Sequence, residues 1–318
     1  MSAGERVVLA GIDEAGLGPL LGSLAIGYVL LEAPALAPEP WKLLRGTVAK
    51  SPTAKARLVV ADSKLVFQRT ARGTERLETT VLAFRAQLAG KSADADAERF
   101  LFGTLAPAAP FRALPWRGDL PALPCHCARE SLELTSALLA RALTRADLTL
   151  LDAGVRVVPA AELNASYAET ANKADTVWER VLEVLRHAWA ARVRAPVRAT
   201  VDMLGGRRHY GSLLGRAFPA ASVKLVGESP GRSAYALEAR DKSGSMQLEF
   251  RVQVALASCF AKYARELEMQ AFNAYFARLQ PALLPTAGYR GDGSRWLAEA
   301  APALAKCGLA RELLVRER

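Results

Sequence analysis

Apolar positions along the chain fall into short continuous runs separated by turns that contain Gly and Pro. The first run, residues 6–12, has no polar residue between Val7 and Ile12, which is typical of a strand buried on both faces of an α/β sheet. A second strand is predicted over residues 23–31, and a third apolar run covers residues 56–61. Further strands are predicted over residues 147–158, with an interruption at Gly154, and over residues 197–201, 220–226, 234–239 and 246–252. We expect the last two to form a hairpin across the polar segment that joins them.

Apolar residues recur with helical spacing in four other segments. Helices are predicted over residues 74–88, 131–143, 165–191 and 252–279. The last has the most regular apolar stripe, which consists of Leu256, Cys259, Phe260, Tyr263, Leu267, Phe272, Tyr275 and Phe276. Residues 33–40 are predicted to be a Pro-rich loop, and residues 90–124 show no clear period, so we expect an irregular insertion or lid there. Strands followed by mixed strands and helices predict an α/β fold.

Composition is that of a folded protein, with 51% hydrophobic and 23% charged residues in a chain of 318. No apolar run approaches the ~18 residues of a membrane-spanning helix, and the first residues lack a signal-peptide pattern, so we expect a cytoplasmic protein without membrane contact. The net charge of +10 favours a polyanionic partner such as a nucleic acid. Because Arg and Ala are abundant and Lys is scarce, part of this charge is also explained by a GC-rich genome.

Two of the four cysteines flank a histidine in the segment Cys125-His126-Cys127. Zinc sites usually combine two pairs of ligands with two to four residues between partners. Only His187 and His209 remain as other histidines, and there is no second Cys pair. A half-buried turn is therefore the favoured interpretation over a structural zinc site, and the cysteines are expected to be reduced thiols.

Acidic residues follow two of the predicted buried strands. Asp13 and Glu14 come directly after the first strand, and Asp202 ends the strand over residues 197–201. In α/β folds, functional sites lie at the carboxyl ends of central strands. Glu266 borders the apolar stripe of the last predicted helix. Taken singly, each acid also fits a simpler role, as part of an acidic turn or of a helix surface.

Several segments resemble motifs of type 2 ribonuclease H (ribonuclease HII). Residues 11–22, GIDEAGLGPLLG, resemble its opening motif GIDEAGRGPxxGP, and residues 62–65, DSKL, match its DSKxL motif. Residues 257–266, ASCFAKYARE, are similar to its AASIIAKVxRD segment, and residues 288–292, GYRGD, resemble the GYPSD segment of the archaeal branch. Asp202 stands where the family has its third carboxylate. These segments follow the family's order over about two-thirds of the chain.

The resemblance implies a ribonuclease H-like fold, with a mixed central sheet flanked by helices, inserted segments and a helical C-terminal part. It implies a single domain over residues 1–318, with an insertion at about 90–145 and an added hairpin at about 234–252. It also implies a catalytic, metal-binding set that holds two Mg2+ or Mn2+ ions, made of Asp13, Glu14, Asp202 and Glu266. Oxygen ligands without histidine suit these ions.

The resemblance further implies substrate-binding positions: Gly16, Leu17, Gly18, Ser63, Lys64 and Tyr289. Lys64 would lie near the scissile phosphate, and Tyr289 would contact a sugar near the cleavage junction, where a 2′-hydroxyl distinguishes RNA from DNA. Arg207 and Lys224, from the residues themselves, are candidates for a phosphate-contacting edge near Asp202. A solvated basic face explains those two equally well.

The sequence departs from the family's motifs at Leu17, where the family has Arg, at Ser23, where Pro is usual, and at Glu266, where Asp is usual. The resulting hypothesis is an endonuclease that hydrolyses RNA in RNA/DNA hybrids or at ribonucleotides embedded in duplex DNA. Two alternatives stay open: a ribonuclease H-fold nuclease for structured DNA or another nucleic acid, and a catalytically inactive nucleic-acid-binding relative. The sequence does not predict an oligomeric state.

Overall fold

The computed structural model describes residues 5–36, 39–52, 58–88, 96–103, 105, 113–204, 207, 209–251 and 254–317. Nine strands lie within these residues: β1 (Arg6–Ala15), β2 (Leu24–Pro34), β3 (Val48–Ala49), β4 (Leu58–Val59), β5 (Thr149–Val158), β6 (Val197–Val201), β7 (Ala221–Ser229), β8 (Arg232–Ala239) and β9 (Ser245–Arg251). Seven of them form one sheet in the order β5-β2-β1-β6-β9-β8-β7, and β3 pairs with β4 separately.

Eleven α-helices lie in the described parts of the chain: α1 (Pro40–Leu43), α2 (Ser63–Val66), α3 (Ala71–Arg85), α4 (Ala97–Leu101), α5 (Arg129–Arg145), α6 (Ala160–Thr170), α7 (Lys173–Ala190), α8 (Gly211–Ala217), α9 (Ala255–Leu279), α10 (Arg290–Glu299) and α11 (Ala301–Cys307). Short 3-10 turns cover Pro115–Asp119, Ala191–Val193 and Arg311–Leu313. No helix among the described residues is long and apolar enough to cross a bilayer.

The central sheet is mixed. β1, β6 and β9 run parallel to one another, whereas β2 and β5 on one side and β8 and β7 on the other are antiparallel to their neighbours. The side chains of β1 alternate between two apolar cores, with Val7 in one and Val8 in the other. The predicted α/β class, a mixed central sheet flanked by helices with a helical C-terminal part, is confirmed.

Each face of the sheet is covered by a different set of helices. The first core contains apolar residues of α3, α5 and α9, and the second contains those of α7 and α8. Helix α9 lies so close to the sheet that a Cβ atom at Gly27 of β2 would be 2.2 Å from the carbonyl oxygen of Ala257. Because real Cβ atoms do not approach backbone so closely, glycine at this position permits the close packing of helix on strand.

One predicted helix is wrong. Residues 165–191 do not form a single helix, because α6 ends at Thr170 and α7 begins at Lys173. Ala171 has a left-handed φ of 49°, and the Asn172 side chain accepts hydrogen bonds from the amides of Ala174 and Asp175. The left-handed Ala171 ends the first helix, and the Asn172 N-cap starts the second.

Other elements differ from the predictions in detail. β5 runs without interruption through Gly154, where a Cβ would lie 2.9 Å from the Tyr28 hydroxyl. The apolar run predicted at 56–61 contributes only β4, outside the main sheet, and residues 56 and 57 lie outside the described part of the chain. The last long helix begins at Ala255, and residues 252 and 253 are likewise outside the described ranges.

The predicted hairpin is present as β8 and β9. Strand β9 pairs with β6, so the hairpin continues the central sheet. Parts of the predicted insertion at about 90–145 form α4, the turn Pro115–Asp119 and α5. The division into a family core and additions stays a prediction.

The segment 125–127 is a half-buried turn with free cysteines, as favoured from the sequence. The Glu78 carboxylate accepts hydrogen bonds from the amides of Cys125 (3.0 Å), His126 (2.6 Å) and Cys127 (2.7 Å). Burial and the Glu78 charge raise the pKa of the Cys125 thiol. The turn is therefore fixed by a carboxylate, and its thiols are protonated at neutral pH.

Candidate metal centre

Asp13, Glu14 and Asp202 meet at the carboxyl ends of two parallel strands. Asp13 and Glu14 lie in the last residues of β1, and Asp202 directly follows β6. The register pairs Ile12 with Val201, and the Asp202 amide donates to the Ile12 carbonyl oxygen at 2.9 Å. One carboxylate oxygen from each of the three residues lies within 4.8 Å of the other two. We call these three residues the acid cluster.

Burial and mutual repulsion disfavour the charged forms of the acid cluster. Asp13 is 9% exposed. Burial, followed by the charge of Asp202, raises its pKa to about 7, against a hydrogen bond from Ser258 that lowers it. Burial and the charges of Asp13 and Asp202 raise the pKa of Glu14 to about 8. A cation among these oxygens would favour the charged forms and so lower both pKa values.

The donor set of the acid cluster fits a hard divalent cation. All three ligands are carboxylates, and the described residues add no histidine or cysteine to the group. Oxygen-only sites of this kind suit Mg2+ or Mn2+ over zinc or copper.

The segment after β4 borders the acid cluster. The Asp62 carboxylate caps α2 by accepting from the Lys64 amide at 2.9 Å. The Ser258 hydroxyl of α9 bonds Asp13, and its oxygen is also hydrogen-bonded to the Ser63 hydroxyl oxygen at 2.9 Å. The charge of Lys64 lowers the pKa of Glu14. The predicted positions Ser63 and Lys64 thus lie beside the acids.

Residues 16–23, named the glycine turn below, continue from the acid cluster. Gly16 has φ +92°, and a Cβ there would be 2.8 Å from Arg265 Cδ. The Leu17 side chain is half-buried and packs against the second core, whereas Gly18 is exposed with open space around its Cα. Gly16 therefore permits close packing of Arg265 against the turn, Gly18 leaves backbone accessible, and Leu17 is turned toward the protein.

Tyr289 lies next to the glycine turn. The carbonyl oxygen of the preceding Gly288 accepts from the amides of Leu20 at 2.7 Å and Leu21 at 3.1 Å. The Tyr289 side chain is 47% exposed, which is unusual for a large aromatic residue in this chain. An exposed aromatic ring thus lies beside the glycine turn.

The structure does not place Glu266 in the acid cluster. Its carboxylate is paired with Lys262, one turn earlier on α9, and Lys262 also lies over the Phe67 ring. Ser258 marks the part of α9 that reaches Asp13, and Glu266 follows it by eight residues, about 12 Å along the helix axis. Glu266 therefore stays a predicted ligand that lies outside the group of three acids.

Arg207 and Lys224 lie in different parts of the chain after β6. Arg207 lies in the segment after β6 and is ion-paired with Asp175 of α7. Lys224 is on the edge strand β7, three strand spacings from β6, or about 14 Å across the sheet. The predicted phosphate-contacting edge near Asp202 is therefore not formed by Lys224.

Comparison with known proteins finds structural likeness alone. No family model matches the chain, and no curated protein matches it. It is similar to ribonuclease HII of Archaeoglobus fulgidus in its complex with PCNA (14% identity, TM-score 0.42, 98% of this chain and 94% of that one). It is also similar to ribonuclease H2 of Pyrococcus horikoshii OT3 (15% identity, TM-score 0.41, 97% of this chain and 92% of that one). A third similar structure is RNase H3 of Aquifex aeolicus (15% identity, TM-score 0.36, 97% of this chain and 71% of that one).

Four polar residues around the site were missed from the sequence. Ser258 bonds Asp13, and the buried Arg265, Glu268 and Arg316 bind the glycine turn. The signal for Arg265 and Glu268 was their position among buried apolar residues of α9, where unpaired charges are costly. No comparable sequence signal pointed to Arg316, because it lies 300 residues from the carbonyl it binds.

Proposed function

We propose that this chain is a metal-dependent endonuclease of the type 2 ribonuclease H kind. It hydrolyses phosphodiester bonds of RNA in RNA/DNA hybrids or at ribonucleotides embedded in duplex DNA. The observation that carries the proposal is the convergence of Asp13, Glu14 and Asp202 at the carboxyl ends of adjacent parallel strands. The resemblance of residues 11–22 and 62–65 to the family's motifs supports the same activity.

The acid cluster would hold the divalent cations, Mg2+ or Mn2+, with Asp13 and Asp202 facing each other across β1 and β6. Such ions, as a pair, supply a nucleophile at neutral pH and stabilise the leaving oxygen in phosphodiester hydrolysis. Ser258 orients the Asp13 carboxylate through its hydrogen bond. Lys64, close enough to act on Glu14, is placed to attract the phosphate of the bond to be cut.

Recognition of the nucleic acid is assigned to the glycine turn and to Tyr289. The backbone at Gly18 can approach a sugar closely, because no side chain intervenes. The exposed Tyr289 ring supports stacking on a sugar or base at the cleavage junction. The net charge of +10 supports general attraction to a polyanion.

The test is cleavage, with Mg2+ or Mn2+, of a DNA duplex carrying one ribonucleotide, beside an RNA/DNA hybrid and an all-DNA duplex. We expect a cut at the ribonucleotide that is lost in Asp13→Asn. Glu133→Gln, at an exposed position of α5, is the matched control and should cut like the wild type. Folded protein that cuts none of these substrates with either metal would refute the proposal.

One observation favours a second substrate class. The motif position occupied by Arg in the family is the half-buried Leu17, so the turn presents no positive side chain there. A nuclease of the same fold for structured DNA is the alternative. Cleavage of branched or plain DNA at the same rate as the ribonucleotide duplex would favour it.

A further inference from the structure

Strands β6, β7, β8 and β9 bury only one of their two sides. Their apolar side chains belong to the second core, whereas the first core contains no described residue of these four strands. On the first-core side, β6 carries Arg198 and Thr200, and β9 carries Gln247, Glu249 and Arg251. Helix α9 covers that side of the sheet over β1 and β2. We call the first-core side of β6, β9, β8 and β7 the open face.

The open face is polar and carries an excess of positive charge. Its charged side chains are four basic ones, all exposed, and two acidic ones: Arg198, Lys224, Arg232, Arg251, Glu238 and Glu249. Arg232 donates to Glu249 at 2.6 Å. Arg198, Lys224 and Arg251 have no ion-pair or hydrogen-bond partner within the described part of the chain. Three exposed cations are thus available to an anionic partner.

The three unpaired cations are spread over the open face. Arg198 of β6 pairs with Gln247 of β9. Gln247 pairs with Ala236 of β8, which in turn pairs with Lys224 of β7. Arg198 and Lys224 therefore lie in one row, three strand spacings or about 14 Å apart. Arg251 follows Gln247 by four residues, about 13 Å along β9. A partner that contacts all three must carry several negative charges over more than one nanometre.

The open face ends at the acid cluster. β9 pairs with β6 in parallel, and Arg251 and Asp202 lie at the same end of these two strands, one strand spacing or about 5 Å apart. Asp13 lies on the first-core side of β1, where it bonds Ser258 of α9. A polyanion that lies along the open face would therefore reach the three carboxylates.

We infer that the open face binds the phosphate backbone of a nucleic-acid duplex. Arg198, Lys224 and Arg251 each contact a phosphate, and these contacts hold the duplex next to the acid cluster. The four strands place no aromatic side chain on this face within the described residues, so it lacks the stacking platforms that single strands use. The choice of nucleic acid as the polyanion rests on the proposed function, whereas the unpaired positive charge does not.

The first test measures binding of a labelled RNA/DNA hybrid duplex to the full chain in EDTA, so that neither cleavage nor metal binding contributes. Arg198→Gln, Lys224→Gln and Arg251→Gln should each weaken binding roughly five- to tenfold at about 0.1 M salt. Each should also reduce the slope of log K against log salt by about 0.9, and the triple variant should reduce it by about 2.7.

Arg216→Gln is the matched control for this test. Arg216 is an exposed arginine of α8, which packs on the other, covered side of the same half of the sheet. Its removal takes away the same charge without changing the open face. We expect this variant to bind the duplex with the affinity and the salt slope of the wild type.

The second test changes the probe. The duplex is compared with a single strand of the same length and with polyglutamate, an acidic polymer without phosphates. We expect the wild type to bind the duplex more tightly than either of the other probes. The triple variant, with circular dichroism as the control for folding, should lose this preference.

The outcomes separate the two proposals. Equal weakening in Arg216→Gln and in the three open-face variants would show general charge attraction and would overturn the inference. Tighter binding of the single strand or of polyglutamate would overturn the assignment to a duplex. A triple variant that binds and cleaves like the wild type would overturn the open face and leave the nuclease. Duplex binding that depends on the three cations, in a protein that cleaves no substrate, would uphold the open face and refute the nuclease.

Discussion

Two groups of buried carboxylates in this protein have opposite electrostatic states. Glu78 is fully buried, and burial acts to raise its pKa, yet hydrogen bonds from Cys125, Tyr263 and His126 lower it below the ordinary value. Asp13 and Glu14 are also largely buried, but their pKa values are raised to about 7 and about 8. Both groups consist of carboxylates that are largely removed from solvent.

The difference lies in what surrounds each carboxylate. Glu78 accepts hydrogen bonds from three successive backbone amides and from the Tyr263 hydroxyl at 2.7 Å. These donors stabilise its negative charge. Asp13 accepts from the Glu14 amide at 2.8 Å and bonds Ser258, and it faces two other acids. A buried carboxylate surrounded by donors maintains structure, whereas buried carboxylates that face one another form a site that a cation would stabilise.

The largest expected effect is on catalysis. Asp202→Asn removes a charged ligand while keeping the shape of the acid cluster. We expect cleavage to fall by about 10^3-fold or more, since the loss of metal stabilisation amounts to several kcal/mol. Single-turnover cleavage of the ribonucleotide duplex measures it, with circular dichroism as the control for folding. A variant that cuts within tenfold of the wild type would contradict the metal centre as described.

The next effect concerns stability. Glu78→Ala would leave three amides and the Tyr263 hydroxyl without their acceptor, and we expect a loss of about 3–5 kcal/mol in the free energy of unfolding. Urea unfolding measures this loss. Glu75→Ala, at an exposed position of the same helix, is the control and should change stability by less than about 0.5 kcal/mol. Equal effects of the two substitutions would remove the structural role assigned to Glu78.

The pH dependence of stability should also distinguish the two groups. Between pH 4 and pH 8, the folded metal-free protein retains protons on Asp13 and Glu14 that the unfolded chain releases, so these residues lower stability as pH rises. Glu78 acts in the opposite sense, because its pKa is lower in the folded protein than the ordinary glutamate value of 4.5. Its contribution is present above that value and is lost as the pH falls through the lower pKa of the folded state. Thermal unfolding with EDTA and with Mg2+ measures this dependence.

In that experiment, Mg2+ should stabilise the protein more at pH 8 than at pH 6, because it binds the deprotonated acids. Asp13→Asn should weaken the dependence on both pH and Mg2+. A Mg2+ effect that is the same at both pH values and in the variant would mean that the ion binds elsewhere.

The smallest expected effect is at Glu266. Its pair with Lys262 is an i,i+4 contact on α9, worth about 0.3–0.5 kcal/mol. We expect Glu266→Gln to change the cleavage rate by less than about threefold, since the side chain is outside the acid cluster. A loss comparable to that in Asp202→Asn would show that Glu266 reaches the metal ions during catalysis.

The sequence predicted those parts of the site that local pattern determines. The acids Asp13, Glu14 and Asp202 follow apolar runs whose strand character is evident, and adjacent parallel strands necessarily bring their carboxyl ends together. The hairpin of β8 and β9 and the helix α9 were predicted for the same reason.

What depends on three-dimensional arrangement was not predictable. The break between α6 and α7 rests on one Asn cap and one left-handed residue, which do not interrupt the apolar period. The placement of Glu266 depends on where along its axis α9 meets β1. The join of β9 to β6, which extends the sheet to seven strands, is a non-local pairing without a sequence signal.

The clamp of Arg316 on the carbonyls of Gly16 and Gly22 has a consequence for biosynthesis. The side chain that locks the glycine turn is added about 300 residues after Gly16 during synthesis. During translation the acid cluster is therefore adjacent to a turn that is not yet fixed. The nascent chain should acquire full activity only after residue 316 has emerged and folded back.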